Sequence, residues 1–238
     1  MDGSSSVPSV VFGSHCGSHQ PAPTNSYQTK EIVLYGSILD TQVETLVQRL
    51  KGLCDPGVVH FNEHEMVMSL RTGHDPDVTV RIRRHHKDSH HSNTHNMWHL
   101  RLVLIRYVGG PEPDATCPAI VRKCIDSVMT TPANTSMMEV IKALGLRMDY
   151  EYLAKGQLFT KGNVKVIIEQ LQKTDRPGSY QEQDLKHISD SHLITMTMSL
   201  PENGDYKSAA KHIREFADQL DPLANMEKVD YWLKKSTA

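Results

Sequence analysis

Glu63 and Glu65 stand two residues apart within a segment, Val58–Arg71, whose apolar and polar residues alternate. On an extended strand that spacing puts both side chains on one face. Two carboxylates on one face can share a hard divalent cation. The next position on that face is Val67, so no positive group follows the pair. The other face carries His64, Met66, Met68 and Leu70. It is the more apolar of the two, so we expect it to meet the core and the glutamates to meet solvent.

Arg81, Arg83 and Arg84, followed by His85, His86 and Lys87, form the local basic run. Such a run suits phosphate contacts or nuclear import. Arg81 and Arg83 alternate with Val80 and Ile82, however, and a solvated strand face explains them more simply. No aromatic residues are interleaved on which bases could stack, so direct nucleic-acid binding is not expected. His85, His86, His90, His91, His95 and His99 raise the question of a metal. They are separated by polar residues, with no cysteine close by and no helix to fix them, so we read residues 85–97 as a polar loop. Cys16 with His15 and His19 lies in a Ser/Gly-rich tail and is read the same way. No nucleophile elbow, dinucleotide fingerprint or phosphate-binding loop is present. We therefore assign no catalytic, cofactor-binding or metal-ligating residue, and expect an interaction protein rather than an enzyme.

The elements that must position these residues follow from the rest of the chain. It has 238 residues with 26 Lys+Arg against 28 Asp+Glu, so no global field draws it to nucleic acid or membrane. No apolar run approaches the roughly 20 residues of a spanning helix, and no secretory signal opens the sequence. Cysteines 16, 54, 117 and 124 show no paired spacing, which makes reduced thiols the default. Residues 1–29 carry little apolar surface and are expected to be disordered. Residues 30–238 are expected to form a single domain.

Strands are predicted over 31–39, 58–71, 78–84, 97–107, 120–130, 147–160, 164–171 and 192–200, from alternation bounded by turn residues. Gly162-Asn163 suits a tight hairpin turn. Helices are predicted over 41–53, with Thr41 and Glu44 at capping-box spacing, over 134–144, and over 205–220. Residues 173–190 are polar and read as a loop. About eight mainly antiparallel strands with about three flanking helices, and no strand–helix alternation, make an α+β fold in which the strands close into a β-barrel.

Several segments resemble the Mediator subunit eighteen family. They are Tyr35-Gly-Ser-Ile-Leu-Asp40, Arg49-Leu-Lys-Gly-Leu-Cys54, His64–Leu70, Trp98–Arg101, Val121–Asp126, Leu144–Gly162, Phe216–Leu223 and Met226–Asp230. The likeness runs in order from Tyr35 to Asp230 and is absent from the tail, the His-rich stretch and residues 173–190. It implies a many-stranded barrel with flanking helices, in a nuclear subunit of the Mediator head. Its implied partners are subunit twenty, a barrel of related fold, and a C-terminal helix of subunit eight, with an indirect link to RNA polymerase II. The family's barrel is in turn similar to that of tunnel-type, metal-dependent triphosphatases, which place Glu-x-Glu-x-Lys on a strand. Here Glu63-His-Glu65 supplies the acids and Val67 stands where the lysine would be. The phosphohydrolase alternative is weakened accordingly.

Overall fold

The computed structural model describes residues 28–70, 78–86, 102–130, 137–176 and 179–229. Alternating sequences fold into nine strands among these residues. They are β1 (Gln28–Leu39), β2 (Val59–Leu70), β3 (Val78–His85), β4 (Leu102–Pro111), β5 (Ile120–Thr130), β6 (Arg147–Lys161), β7 (Val164–Thr174), β8 (Leu185–His187) and β9 (Ser191–Pro201). Their order is β6-β2-β3-β4-β5-β1-β9-β7-β8, and a further β6–β7 pairing closes the first eight into an antiparallel barrel. Short β8 pairs only with the end of β7. The β6–β7 hairpin turns on Gly162-Asn163 as the sequence predicts. Gly162 has φ +56°, a conformation that side chains disfavour, and its N–H donates to Asp55 Oδ2 at 2.8 Å.

Among the described residues three α-helices lie against the outside of the wall: α1 (Val43–Leu53), α2 (Met137–Ala143) and α3 (Tyr206–Ala217). The apolar faces of α1 (Leu46, Val47, Leu50) and α3 (Ala209, Ile213, Phe216) cover Ile32, Leu34, Val166 and Met196 of the barrel. Under α2, Met137 and Ile141 cover Met66, Met68 and Ile82. Fully burying each such side chain stabilises by about 1.5–3 kcal/mol, so the hydrophobic core lies between wall and helices rather than inside the barrel.

Local chemistry at the helix ends differs from one helix to the next. The Asp205 carboxylate accepts from the N–H groups of Lys207 (3.1 Å) and Ser208 (3.3 Å), capping α3. Arg49 of α1 donates to the carbonyls of Gln219, Leu220 and Asp221 beyond its other end. The expected Thr41/Glu44 capping box does not form. A 3-10 turn over Asp40–Gln42 leads into α1 without a side-chain cap, and Glu44 instead accepts from Gln48 Nε2 at 2.6 Å.

Two boundaries also differ from expectation. Gln28 and Thr29, placed in the tail by composition, extend β1 against Ile125 and Cys124 of β5. Residues 173–190 are not wholly a loop: Lys173 and Thr174 end β7, and β8 pairs with them. The expected tail 1–27 and most of the His-rich stretch lie outside the described residues.

After α3 the chain returns across β1. Tyr35 and Glu227 exchange backbone hydrogen bonds of 3.0 and 2.6 Å. A Cβ on Gly36 would stand 2.7 Å from Met226 Sδ and 2.9 Å from the Asn225 carbonyl oxygen, so only glycine lets the segment lie this close. Lys228 Nζ then donates to the carbonyls of Asp114 (2.7 Å) and Cys117 (3.2 Å).

Candidate functional site

With the outer face of the wall committed to the helices, alternation sends the residues of the opposite face, Glu31, Glu65, Arg81 and Arg83 among them, into the lumen. Directly paired residues of neighbouring strands share a face, and β2–β3 pairing sets Glu65 opposite Arg83 and Val67 opposite Arg81. Glu31 of β1 is likewise opposite Arg122 of β5. The expectation that Glu63, Glu65, Arg81 and Arg83 line solvated faces is therefore wrong. Their face looks inward, because α2 claims the opposite one.

Glu65 is 1% exposed. Its Oε2 accepts from Arg83 Nη2 (2.6 Å) and Nε (2.8 Å), and its Oε1 from Arg81 Nη1 (3.1 Å) and the Tyr152 hydroxyl (2.5 Å). Burial alone would raise its pKa, but the Arg83 and Arg81 guanidiniums hold the carboxyl below its ordinary range. Glu31 is held in the same way between Arg122 (2.6 Å) and Arg106 (3.0 Å), and it too stays below the usual carboxylate range despite its burial.

Among the described residues Glu63 makes one ion pair, to Arg83 Nη1 at 3.2 Å, and burial pushes its carboxyl up. Glu169 of β7 is pushed up to about 7, chiefly by burial, with the Glu65 and Glu63 charges adding to the effect. Cys124 donates to Glu31 Oε2 at 3.7 Å, and burial, then the Glu31 charge, raises its thiol to about 11.

This arrangement is a poor cradle for a cation. The two most buried carboxylates already face two guanidiniums each, and Val67, buried beside Glu65, offers no charge to a phosphate. Among the described residues no group of three or more His, Cys, Asp or Glu could hold a metal ion.

A second polar cluster sits on the outer wall. Arg84 donates to His64 Nδ1 from Nη2 (2.9 Å) and Nε (3.2 Å). Arginine only donates, so Nδ1 accepts, and the proton is on Nε2, which faces Glu151 Oε2 at 3.0 Å. The Tyr180 hydroxyl donates to the same carboxylate oxygen, and its ring lies 4.3 Å from that of His64 and 6.2 Å from that of His86. Burial first, then Arg84, pushes His64 down against the pull of Glu151, and burial lowers Arg84 to about 10. His64 thus shares the outer face with Met66 and Met68, as expected, but it is buried there in a polar network rather than in the apolar layer.

In the basic run, Arg84 and His86 are buried in this cluster while His85 ends β3 exposed. Lys87, His90, His91, His95, His99, Cys16, His15 and His19 lie outside the described residues. Tyr152, Glu169, Glu31, Arg106 and Arg122 were missed by sequence reasoning. No local pattern marks them, since the residues two positions away on the same strand face are uncharged in every case, such as Thr29 and Val33 beside Glu31 or Ile120 and Cys124 beside Arg122.

The comparisons with known proteins agree with one another. Residues 30–234 match the family described as Med18 protein. Mediator of RNA polymerase II transcription subunit 18 of Caenorhabditis elegans is 48% identical over 222 residues, covering 92% of this chain and 91% of that one. The Drosophila melanogaster protein of the same name is 34% identical over 205 residues, covering 84% and 86%. A chain in the structure of the Schizosaccharomyces pombe Mediator head module superposes with a TM-score of 0.67 at 16% identity, covering 84% of this chain and 98% of that one. A mimivirus capping-enzyme triphosphatase superposes with a TM-score of 0.52 at 8% identity, covering 83% and 91%, which is a likeness of fold alone. Matched by the family model over residues 30–234 and by relatives along nearly all its length, this helix-flanked barrel belongs to the Med18 family of Mediator subunits.

Proposed function

We propose that this Mediator subunit acts in the nucleus as a non-catalytic interaction protein of the head module, bridging regulatory factors to RNA polymerase II. Its partners are head subunits. We assign to it subunit twenty, as a second barrel, and a helix of subunit eight, neither of which touches nucleic acid or membrane through this chain. Residues 28–238 act as a single barrel domain, with residues 1–27 as a tail and 87–97 as a polar loop. The observation that carries the reading is the lumen: Glu65 and Glu31 are each already held between two arginines, so neither carboxylate is open to a cation.

Two experiments test it. Affinity purification of the tagged chain from nuclear extract should recover head subunits, and co-expression with subunits eight and twenty should raise its melting temperature by mass action. A chain that ignores both partners would refute the assignment. The purified chain should also release no phosphate from a nucleoside triphosphate with manganese or magnesium. Turnover that vanishes in the Glu63→Ala, Glu65→Ala variant would establish the tunnel triphosphatase in its place.

A further inference from the structure

The lumen has a mouth at the end where β1 gives way to α1. Pairing of β1 with β5 stops at Val33 and Ile120, and beyond it the returning segment takes the place of β5 through the Tyr35–Glu227 bridge. Directly paired residues share a face, so Glu227 looks the same way as Tyr35, into the lumen. Alternation turns Asn225 and Val229 inward with it. Met226, between them, is buried on the other side, in the outer core that α1 and α3 cover. Within the mouth lies a cavity of about 360 Å³, lined by Tyr35, Ser37 and Leu193 of the barrel and Asn225, Glu227 and Val229 of the returning segment.

Where the chain goes next decides what fills it. The antiparallel register that sets Glu227 opposite Tyr35 would set Val229 opposite Val33, a place that Ile120 of β5 already holds. The chain must therefore leave the sheet at Val229, which itself lines the cavity. The sequence continues Asp230-Tyr231-Trp232-Leu233-Lys234-Lys235, and the Med18 match runs on to residue 234. At about 3.3 Å per extended residue, Tyr231 is roughly 7 Å along the chain from Val229, and alternation gives it the same side. The lining mixes leucine, valine and a phenol ring with a hydroxyl and an amide, which suits a ring with a polar tip. Asp40 and Asp190, joined by a 3.2 Å backbone hydrogen bond at the same end of the barrel, offer negative charge to Lys234 and Lys235.

We propose that residues 230–235 turn across this mouth and seat the Tyr231 side chain in the cavity, so that the chain closes one end of its own lumen. The contact is internal, so its failure leaves the reading as a Mediator subunit untouched.

The isolated full-length chain is the material for the test. A photo-reactive phenylalanine at position 231 should cross-link within the same chain to Tyr35, Ser37 or Leu193. Tyr231→Ala, and a chain cut after Val229, should each lower the melting temperature by about 4–8 °C. Tyr231→Phe should lower it by less than about 2 °C, and Trp232→Ala, on the opposite face, should cost less than Tyr231→Ala. Amide exchange at residues 36–39 should quicken at least about tenfold in the cut chain. Cross-links that join two copies, that form only when another subunit is present, or that miss the cavity would overturn the proposal. So would unchanged melting in both Tyr231→Ala and the cut chain, or a larger loss from Trp232→Ala than from Tyr231→Ala. Should the cut chain fail to fold, the cross-link in the full chain decides.

Discussion

Replacing Glu65 with glutamine keeps its volume and one oxygen acceptor but turns the other toward donors that already point at it. Arg83 Nη2 and Nε lie at 2.6 and 2.8 Å, and Arg81 Nη1 at 3.1 Å, so either amide orientation sets an NH2 group against a guanidinium or the Tyr152 hydroxyl. Removing one member of a fully buried ion pair costs about 3–5 kcal/mol. The Arg81 and Arg83 side chains are 34% and 35% exposed, so water takes up part of the loss. We expect about 2 kcal/mol.

For a domain of this size that is a fall of about 4–8 °C in melting temperature. Glu63→Gln removes one 3.2 Å contact at a more exposed carboxylate and should cost no more than about 1 kcal/mol. Thermal unfolding of both variants at pH 7 in low and high salt is the assay, since salt screens exposed pairs far more than buried ones. Equal losses for the two variants, or a Glu65→Gln deficit that disappears in high salt, would mean that the lumen is flooded and its pairs contribute nothing.

Glu169 gives a pH dependence opposite to that of most carboxylates. Its folded pKa of about 7 lies above the ordinary 4.5, so the native state holds the proton more tightly than the unfolded one. Its contribution to stability is full below pH 4.5 and is lost as pH rises through 7. Glu169→Gln should therefore raise the melting temperature at pH 8 relative to the parent and leave the two alike near pH 4, and the reverse order would refute the assignment. Outside the barrel, Ile213→Ala opens a cavity between α3 and the wall and should cost about 2–5 kcal/mol in denaturant titrations.

The strands and helices were legible because their signals are local. The Gly162-Asn163 hairpin, the amphipathic faces of α1 and α3 and the alternation along β2 each depend on residues a few positions apart. The use of the two strand faces was not legible. Met66 and Met68 are under α2 as their apolarity suggests, but a single strand cannot say whether Glu63 and Glu65 meet water or a lumen. That answer needs Arg81 and Arg83, sixteen or more residues on in the chain, and Arg106 and Arg122 farther still. His64 misleads for a related reason. Its neighbours in sequence are apolar, while its partners Arg84, Glu151 and Tyr180 come from β3, β6 and the segment after β7.

The pairing of Glu65 with Arg83 and of Val67 with Arg81 also works as an error check on assembly. A slip of β3 by one residue along β2 would turn Arg81 and Arg83 outward under the apolar face of α2 and bring Ile82 in among the glutamates. Both sides of the sheet would be penalised at once, one by charge in an apolar layer and the other by carboxylates without counter-ions. A slip by two residues keeps the faces and, in one direction, sets Glu63 opposite Arg83 and Glu65 opposite Arg81, so it escapes this check. The charged lumen thus rejects the one-residue slip that would exchange the two layers, information about which face is which that an oily interior, content with any apolar neighbour, would not hold.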